Sequence, residues 1–300
     1  ENIIASIDKD NVIKGSFESK IEDIISENKR PTIGFYLDDK SVYKSNETNS
    51  GENNKNIRLT IEYDGKDFNG WQKQPNKLNI QGEIERAIEL ITGEENIDLI
   101  ASGRTDAGVH ALGQVANFKT NNMSIPIEKF ALAINTKLKR SVRIKKAEEV
   151  DERFHSRYTC KRKTYRYVIN NNQCESAIYR NFEYHMPVKL DIKAMQKAVK
   201  YFEGEHDFKA FKASGTSSKS SVRKIYLAEV LQGPENRIYI ELTGNGFLYN
   251  MVRIIAGTLV DVGLGKIKPE KIPEIIKDGD RKKSGKTLPP SGLFLMKVMY

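Results

Sequence analysis

Apolar residues recur along most of this 300-residue chain at the spacings of amphipathic strands and helices. In Ile57–Tyr63 (IRLTIEY) apolar and polar residues alternate, which predicts a strand with one buried face. In Ile80–Ile91 isoleucine recurs every three or four residues, which predicts a helix that ends near Gly93. The same criteria predict strands at Ile97–Ala101, Val142–Ala147, Thr164–Ile169, Lys224–Leu231, Arg237–Thr243 and Leu293–Tyr300, and helices at Pro126–Leu138, Ile192–Phe202, Phe247–Val262 and Pro269–Lys277.

The first 55 residues differ in character from the rest. Ser45–Asn56 (SNETNSGENNKN) is polar and rich in Asn and Ser, which predicts a flexible linker. Ahead of it, the spacing of isoleucines predicts a helix at Ser19–Glu27, and a strand is predicted at Thr32–Leu37. We therefore divide the chain into an N-terminal extension of unknown role (1–55) and two successive α+β halves (56–160 and 161–300) with a similar order of elements.

Charge separates the same two parts of the chain. Residues 1–55 hold 8 Lys or Arg against 11 Asp or Glu, whereas the remainder holds 41 against 29. A body with this excess of positive charge attracts polyanions. No run approaches the roughly 18 apolar residues of a membrane span, and the N-terminus lacks a secretory pattern. With only Cys160 and Cys174, which form no disulfide framework, these features favour a cytoplasmic protein without membrane contact.

Several common functional motifs are missing from the sequence. Gly285-Lys286-Thr287 matches the end of a P-loop, but the upstream position that needs glycine is Asp280. Gly263–Lys266 lacks the third glycine of a dinucleotide-binding loop. The four histidines show no metal-ligand spacing, and neither the motifs of a zinc base deaminase nor a G-x-S-x-G elbow is present. We therefore expect no metal and no small-molecule cofactor.

The densest group of reactive side chains lies in Ala101–Ala111 (ASGRTDAGVHA). The string follows a predicted strand, and Gly103 and Gly108 permit tight backbone turns on either side of Arg104 and Asp106. From spacing alone, an aspartate in a glycine-flanked loop is more often a turn residue than a catalytic one.

Residue by residue, however, this string resembles the signature loop of the tRNA pseudouridine synthase A family. Seven further motifs match that family in order: Ile61–Gln74 (IEYDGKDFNGWQKQ), Asn79–Ala87 (NIQGEIERA), Gly113–Phe118 (GQVANF), Phe154–Arg157 (FHSR), Lys163–Tyr167 (KTYRY), Asn245–Gly257 (NGFLYNMVRIIAG) and Pro290–Leu295 (PSGLFL). The resemblance covers about residues 56–300 and does not extend to residues 1–55. It implies the α+β pseudouridine synthase fold, in which two related halves form a joined, mainly antiparallel sheet with a central basic cleft.

The resemblance also implies an activity and the residues that perform it. The implied reaction is isomerisation of uridine to pseudouridine at positions 38–40 of the tRNA anticodon stem-loop, after the base has been flipped out of the stack. Asp106 is the implied nucleophile, and Arg253 is its ion-pair partner, opposing the protonation that burial favours. Arg104 is implied to enter the vacated space, and Tyr165 to contact the flipped uracil and assist in removing its C5 proton. The family further implies a homodimer that binds tRNA without a cofactor.

Two of these residues and two basic segments also have a structural interpretation. Arg253 fits an ordinary surface arginine, although its apolar neighbours favour a buried, paired one (Met251, Val252, Ile254 and Ile255). Tyr165 shares one face of an alternating strand with Tyr167, which we assign to the core, so it also fits a core aromatic. Arg153–Arg166 interleaves six cations with three aromatics, which favours contact with the tRNA backbone over a merely solvated basic face. Lys209–Arg223 is equally compatible with RNA contact and with a mobile surface loop.

For the chain as a whole, two competing functions stay open at the level of sequence. One is a non-catalytic RNA-binding or tRNA-chaperone protein, although that function does not require the intact Asp106 and its flanking residues. The other is a pseudouridine synthase that acts on a different RNA.

Overall fold

One large sheet organises the part of the chain that can be described. The computed structural model describes residues 54–122, 124–215 and 220–300, and all of them belong to one compact unit. The helix predicted at Ser19–Glu27 and the strand predicted at Thr32–Leu37 lie outside the described residues.

The sheet has ten strands within these residues, and most of its pairs are antiparallel. They are β1 (Lys55–Tyr63), β2 (Ile100–Ala101), β3 (His110–Thr120), β4 (Val142–Val150), β5 (Arg162–Asn170), β6 (Tyr184–His185), β7 (Gly204–Asp207), β8 (Val222–Gln232), β9 (Arg237–Gly244) and β10 (Leu293–Met299). Eight of them follow the order β4-β1-β3-β10-β5-β9-β8-β7, with β2 beside β3 and β6 beside β5. Only the β10–β3 and β5–β6 pairs are parallel. The prediction of an α+β protein with a mainly antiparallel sheet is confirmed.

The last strand of the chain lies in the middle of this sheet. On one side β10 pairs with β3, where Phe294 faces His110. On its other side it pairs with β5, where Leu295 faces Tyr165. Strands from the beginning and the middle of the compact unit are thereby joined in one sheet.

Five α-helices accompany the sheet in the described residues. They are α1 (Ile80–Thr92), α2 (Ile127–Asn135), α3 (Ile192–Val199), α4 (Met251–Gly263) and α5 (Ile272–Asp278). Helix α1 begins where the Asn79 side chain accepts a hydrogen bond from the Gly82 amide, and it ends at Gly93 in the left-handed conformation. Its isoleucines at 80, 84 and 88 are fully buried, as their helical spacing predicts.

Four predicted helices differ from the structure by more than one residue at an end. The helix predicted to reach Leu138 ends at Asn135, and the one predicted from Pro269 begins with a 3₁₀ turn ahead of α5. The helix predicted from Phe247 begins instead at Met251, because Asn250 has a φ of 59° and a left-handed residue cannot continue a right-handed helix. The apolar residues Phe247 and Leu248 are therefore in the preceding loop. Helix α3 ends at Val199, and the chain continues to Phe202 as a 3₁₀ turn, whose side chains keep a similar spacing.

A predicted strand and the predicted linker also differ from the structure. Of Ile97–Ala101, only Ile100 and Ala101 pair with β3, although Ile97 and Leu99 are buried, so apolar content indicated burial and not strand pairing. The predicted linker ends inside β1, where Asn56 is buried and donates hydrogen bonds to the carbonyls of Asp151 and Phe154. Its polar side chain satisfies backbone groups, which composition alone does not reveal.

Helix α4 packs directly against the backbone of residues 284–288. A Cβ added at Gly257 would lie 1.9 Å from the Lys286 carbonyl oxygen, and one added at Gly285 would lie 2.4 Å from the Gly257 carbonyl carbon. The Gly285 amide donates to the buried Thr258 hydroxyl at 2.8 Å. Glycine is required at both positions because the two backbones are in van der Waals contact.

Gly257→Ala is expected to lower the free energy of unfolding by about 1–3 kcal/mol, because a fixed backbone carbonyl occupies the space of the new methyl group. Gly263→Ala in the same helix is the matched control. Its Cβ would meet the Met195 sulfur at 2.9 Å and Leu190 side-chain atoms at 3.1 Å, which are able to shift. Urea unfolding of the two variants measures the difference, and equal stability of Gly257→Ala and wild type would contradict this account of the packing.

Candidate active site

A cleft of about 1460 Å³ borders the loop that connects β2 to β3. Three of the four residues predicted for the site, Arg104, Asp106 and Tyr165, line this cleft. The fourth, Arg253, contacts Asp106, with 3.7 Å between its Nη1 and the Asp106 Oδ2. The structure therefore brings together residues from the β2–β3 loop, from β5 and from α4. A smaller cavity of about 220 Å³ beside His110 contains none of the four.

The backbone of the β2–β3 loop is held from one side by the segment that follows β1. The Trp71 amide donates to the Thr105 carbonyl at 3.0 Å, and the Thr105 and Tyr63 hydroxyls are 2.7 Å apart. Gly70, with a φ of 85°, permits this approach, since a Cβ there would lie 2.6 Å from the Thr105 carbonyl oxygen. Thr105 is buried by these contacts, and its neighbours in the loop face the cleft.

From its other side the loop is held by β3 and β5. The Gln114 side chain accepts from the Ser102 hydroxyl at 2.7 Å and donates to the Gly103 carbonyl at 2.9 Å. The Lys163 ammonium donates to the Ser102 carbonyl and occupies the space of a Cβ at Gly103. Because backbone groups on both sides of Arg104 and Asp106 are bonded, the two side chains project from a fixed support.

Asp106 is a partly buried carboxylate, with about 30% of its side chain exposed. Burial raises the pKa of Asp106 above its usual range, and the positive charge of Arg253 acts in the opposite direction. The larger of the two effects is desolvation. The ion pair therefore limits the rise in the pKa of Asp106 without cancelling it.

Arg253 is largely buried, with 15% of its side chain exposed, as its apolar neighbours predict. Its Nε donates to the Leu288 carbonyl at 2.6 Å, and its Nη1 donates to the Asn250 Oδ1 at 2.7 Å. Leu288 belongs to the segment that packs against Gly257. The guanidinium beside Asp106 is thus hydrogen-bonded both to the segment 284–288 and to the loop before α4.

Tyr165 is buried in the wall of the cleft, with 8% of its surface exposed. Its ring meets the Phe247 ring edge-on at a centroid distance of 5.1 Å. Burial, followed by the proximity of Tyr63 and Asp106, raises the pKa of Tyr165 well above its usual range. The phenol therefore stays protonated near neutral pH, and its implied help in removing the C5 proton stays a prediction. Tyr167 is fully buried, and its hydroxyl donates to the Pro289 carbonyl, which confirms its assignment to the core.

Arg104 is exposed at the cleft and makes no hydrogen bond or ion pair with any residue that the structure describes. The carbonyls of its predecessor Gly103 and its successor Thr105 both accept hydrogen bonds, so the free guanidinium extends from a fixed point. This arrangement leaves all of its donors for a ligand in the cleft.

The cations of Arg153–Arg166 do not form one surface, contrary to the expectation from sequence. Of the six, Arg157 and Lys163 line the cleft. Successive residues of β5 point to opposite faces of the sheet, so Arg166 lies on the face opposite Tyr165, where it is bound by the buried Glu241. Arg153 is fully solvated and pairs with Asp151. Because side chains alternate along a strand, cations that are adjacent in sequence lie on opposite faces of the sheet.

Sequence analysis missed several residues that border the site. Asn250 and Phe247 were assigned to a helix, yet both lie in the loop before α4 and line the cleft. A sequence signal was present for Asn250, since asparagine is enriched at helix starts and in left-handed conformations. Gly215, in the middle of Lys209–Arg223, and Arg223, at its end, also line the cleft, while residues 216–219 lie outside the described residues.

Two more properties can be stated of the described residues. No group of three or more His, Cys, Asp or Glu side chains lies together in a way that could hold a metal ion. No helix there has the length and apolar content needed to span a membrane.

Comparison with known proteins bears on the same part of the chain. A model of the tRNA pseudouridine synthase family matches residues 59–159 and 198–300. The chain belongs to this family. The tRNA pseudouridine synthase A of Caldicellulosiruptor saccharolyticus is 54% identical over 246 residues, which cover 82% of this chain and 100% of that protein. The corresponding protein of Acetivibrio thermocellus is 51% identical over the same length.

The resemblance predicted from eight motifs is therefore confirmed, and with it the class of enzyme, since pseudouridine synthases are isomerases. A solved Cbf5–Nop10–Gar1 complex aligns over 68% of this chain and 53% of its own at 15% identity and a TM-score of 0.28, which is too low to support an argument.

The raised pKa of Asp106 predicts how its charge affects stability. A carboxyl whose pKa is higher in the folded state contributes stability at low pH and loses that contribution as the pH rises through the folded-state pKa. We expect Asp106→Asn, whose amide does not titrate, to gain stability relative to wild type between pH 4 and pH 8. Urea unfolding at the two pH values tests this, and a relative gain by wild type at the higher pH would show that the ion pair outweighs burial.

Proposed function

We propose that this chain converts uridine to pseudouridine in tRNA, with Asp106 as the nucleophile. The observation that carries the proposal is a cleft carboxylate in an ion pair with a largely buried arginine, on a loop whose backbone is bonded on both sides. Family membership supports the reaction and the RNA class. The role of Asp106 rests on this geometry and on its place in the signature loop.

The isomerisation requires a nucleophile and proton transfers, but no net change of oxidation state. The bond between uracil N1 and ribose C1′ breaks, the base rotates, and a new bond joins C5 to C1′. The C5 proton is released, and N1 gains a proton. An ionised carboxylate able to bond transiently with the base or with the ribose meets this need, and the Arg253 charge favours the ionised form.

Two further residues act on the nucleotide in this proposal. Arg104 enters the space left by the flipped uridine, because its unpaired guanidinium extends into the cleft from a fixed backbone. Tyr165 contacts the uracil ring from the wall of the cleft as a protonated phenol. The base must leave its stack because Asp106 cannot reach it inside a helical stem.

The finer parts of the function are inferred from the resemblance. We infer that the target uridines are at positions 38–40 of the anticodon stem-loop and that the enzyme is a cytoplasmic homodimer, so that one tRNA contacts both subunits. A cleft lined by Arg104, Arg157 and Lys163 is compatible with a polyanionic substrate.

Release of tritium from C5-labelled uridine in tRNA tests the nucleophile. Asp106→Asn is expected to bind tRNA and to release label at least about a thousandfold more slowly than wild type, since the amide cannot add to the substrate. Asp67→Asn, the same change at an exposed aspartate outside the cleft, should release label at the wild-type rate.

The same assay separates the competing functions. Wild-type protein that binds tRNA without releasing label would support a non-catalytic RNA-binding role. If a tRNA with cytidine at positions 38–40 released as much label as the unchanged tRNA, the target uridine would lie at another position. Rapid release by Asp106→Asn would refute the assignment of the nucleophile.

The salt dependence of tRNA affinity tests the two cleft cations. Each lysine or arginine that neutralises a phosphate contributes about one unit to the slope of log affinity against log salt concentration. We expect Arg157→Gln and Lys163→Gln each to reduce this slope by about one. Arg153→Gln should leave it unchanged, since Arg153 pairs with Asp151 and does not line the cleft. If wild type and all three variants have the same slope, Arg157 and Lys163 do not contact the tRNA phosphates.

A further inference from the structure

Asn250 has an unusual conformation for the residue that precedes a helix. Its φ and ψ are 59° and 7°, in the left-handed region, which asparagine enters more readily than most residues. An asparagine at this position ordinarily has extended dihedrals and accepts a hydrogen bond from the first turn of the helix. The Asn250 side chain makes no such capping bond. Its oxygen is used elsewhere.

That oxygen accepts a hydrogen bond from Arg253. The distance from Arg253 Nη1 to Asn250 Oδ1 is 2.7 Å, and the same Nη1 is 3.7 Å from Asp106 Oδ2. Arg253 Nε is bound by the Leu288 carbonyl at 2.6 Å. The ion pair is longer than a hydrogen bond, so the position of the guanidinium depends on its two shorter contacts.

The two shorter contacts fix a planar group. An arginine side chain that is held at a single atom can still rotate, whereas acceptors at both Nε and Nη1 define the plane of the guanidinium. The Leu288 carbonyl belongs to backbone packed against α4, so substitution does not remove it. The Asn250 amide is the side-chain member of the pair.

We propose that Asn250 is a positioning residue, whose amide oxygen holds the Arg253 guanidinium against Asp106. Through Arg253 it keeps the nucleophile ionised and oriented. The inference rests on the proposed role of Asp106. The titratable groups that interact with Asp106 are Arg253 from α4 and Tyr165 from β5. The other charged residues that line the cleft are Lys77, Asp98, Arg104, Arg157, Lys163 and Arg223.

The alternative is that Asn250 merely forms the turn before α4. In that case glycine should replace it without loss, since glycine enters the left-handed region more easily than asparagine. Asn250→Gly therefore removes the amide while preserving the backbone, and it separates the two roles. Asn96→Gly is the matched control, because Asn96 also has a left-handed φ of 61° and does not line the cleft.

The experiment measures the chemical step on tRNA as a function of pH under single-turnover conditions. We expect Asn250→Gly to slow that step about tenfold or more, because small displacements of catalytic groups reduce rates strongly. Its tRNA affinity should stay at the wild-type value. The acidic limb of its pH profile should move to higher pH, because a less firmly held guanidinium opposes protonation of Asp106 less effectively. Asn96→Gly should match wild type in all three measurements.

A double-mutant cycle then tests whether Asn250 acts through Arg253. Added to Arg253→Met, the Asn250→Gly change should slow the reaction no further, since the guanidinium it positions is absent. Thermal unfolding of each variant checks that the proteins are folded.

Three results would overturn the proposal: a wild-type rate for Asn250→Gly, a weaker tRNA affinity with an unchanged rate, or equal rate losses with and without Arg253. Failure of the proposed function has a different signature, namely an active Asp106→Asn variant.

Discussion

The proposed chemistry depends on one interaction, the ion pair of Arg253 with a carboxylate that the cleft tends to keep protonated. Desolvation is the largest influence on the pKa of Asp106, and Arg253 supplies the opposing charge. A cation free to move would provide this opposition only part of the time. The Arg253 guanidinium is instead bound at Nε and at Nη1 to neighbouring parts of the protein. The ionisation of the proposed nucleophile therefore depends on how α4 is packed.

The fold holds the backbone of the loop that carries Arg104 and Asp106. Thr105 is bonded to Tyr63 at the end of β1 and to Trp71 just after it, and the Gly103 carbonyl accepts from Gln114 of β3. The backbone on both sides of Arg104 is therefore held in place. Close contact between Gly257 and residues 284–288 brings the Leu288 carbonyl to Arg253. β10 lies between β3 and β5, which carry the loop of Asp106 and Tyr165 respectively. The reactive groups come from distant positions in the chain, but each is attached to this one sheet or to α4.

The amino-acid sequence predicted the class of fold, the family and the four residues that meet at the cleft, because those rest on local periodicity and on contiguous motifs. The predictions were wrong where the position of a side chain or a helix start depends on three-dimensional geometry that a sequence pattern does not contain. The cations of Arg153–Arg166 are adjacent in sequence, but strand alternation sends Arg166 to Glu241 and Lys163 to the cleft. The polar Asn56 appeared to belong to a linker, yet backbone carbonyls of a distant loop make it part of the core. The apolar residues before Met251 suggested a longer helix, since hydrophobicity does not register a left-handed residue.

Because Asn250 is left-handed and its oxygen binds Arg253, helix α4 has no ordinary side-chain cap. A missing side-chain cap costs about 1 kcal/mol of helix stability. Helix α4 does not depend on that contribution, because 11 of its 13 residues are buried and tertiary packing supplies most of the stability of such a helix. Its two least buried positions are Arg253 and Asp261. A helix secured by its packing can therefore hold Arg253 against Asp106 while Asn250 binds Arg253, and a solvent-exposed helix of the same length could not do so without fraying at its first turn.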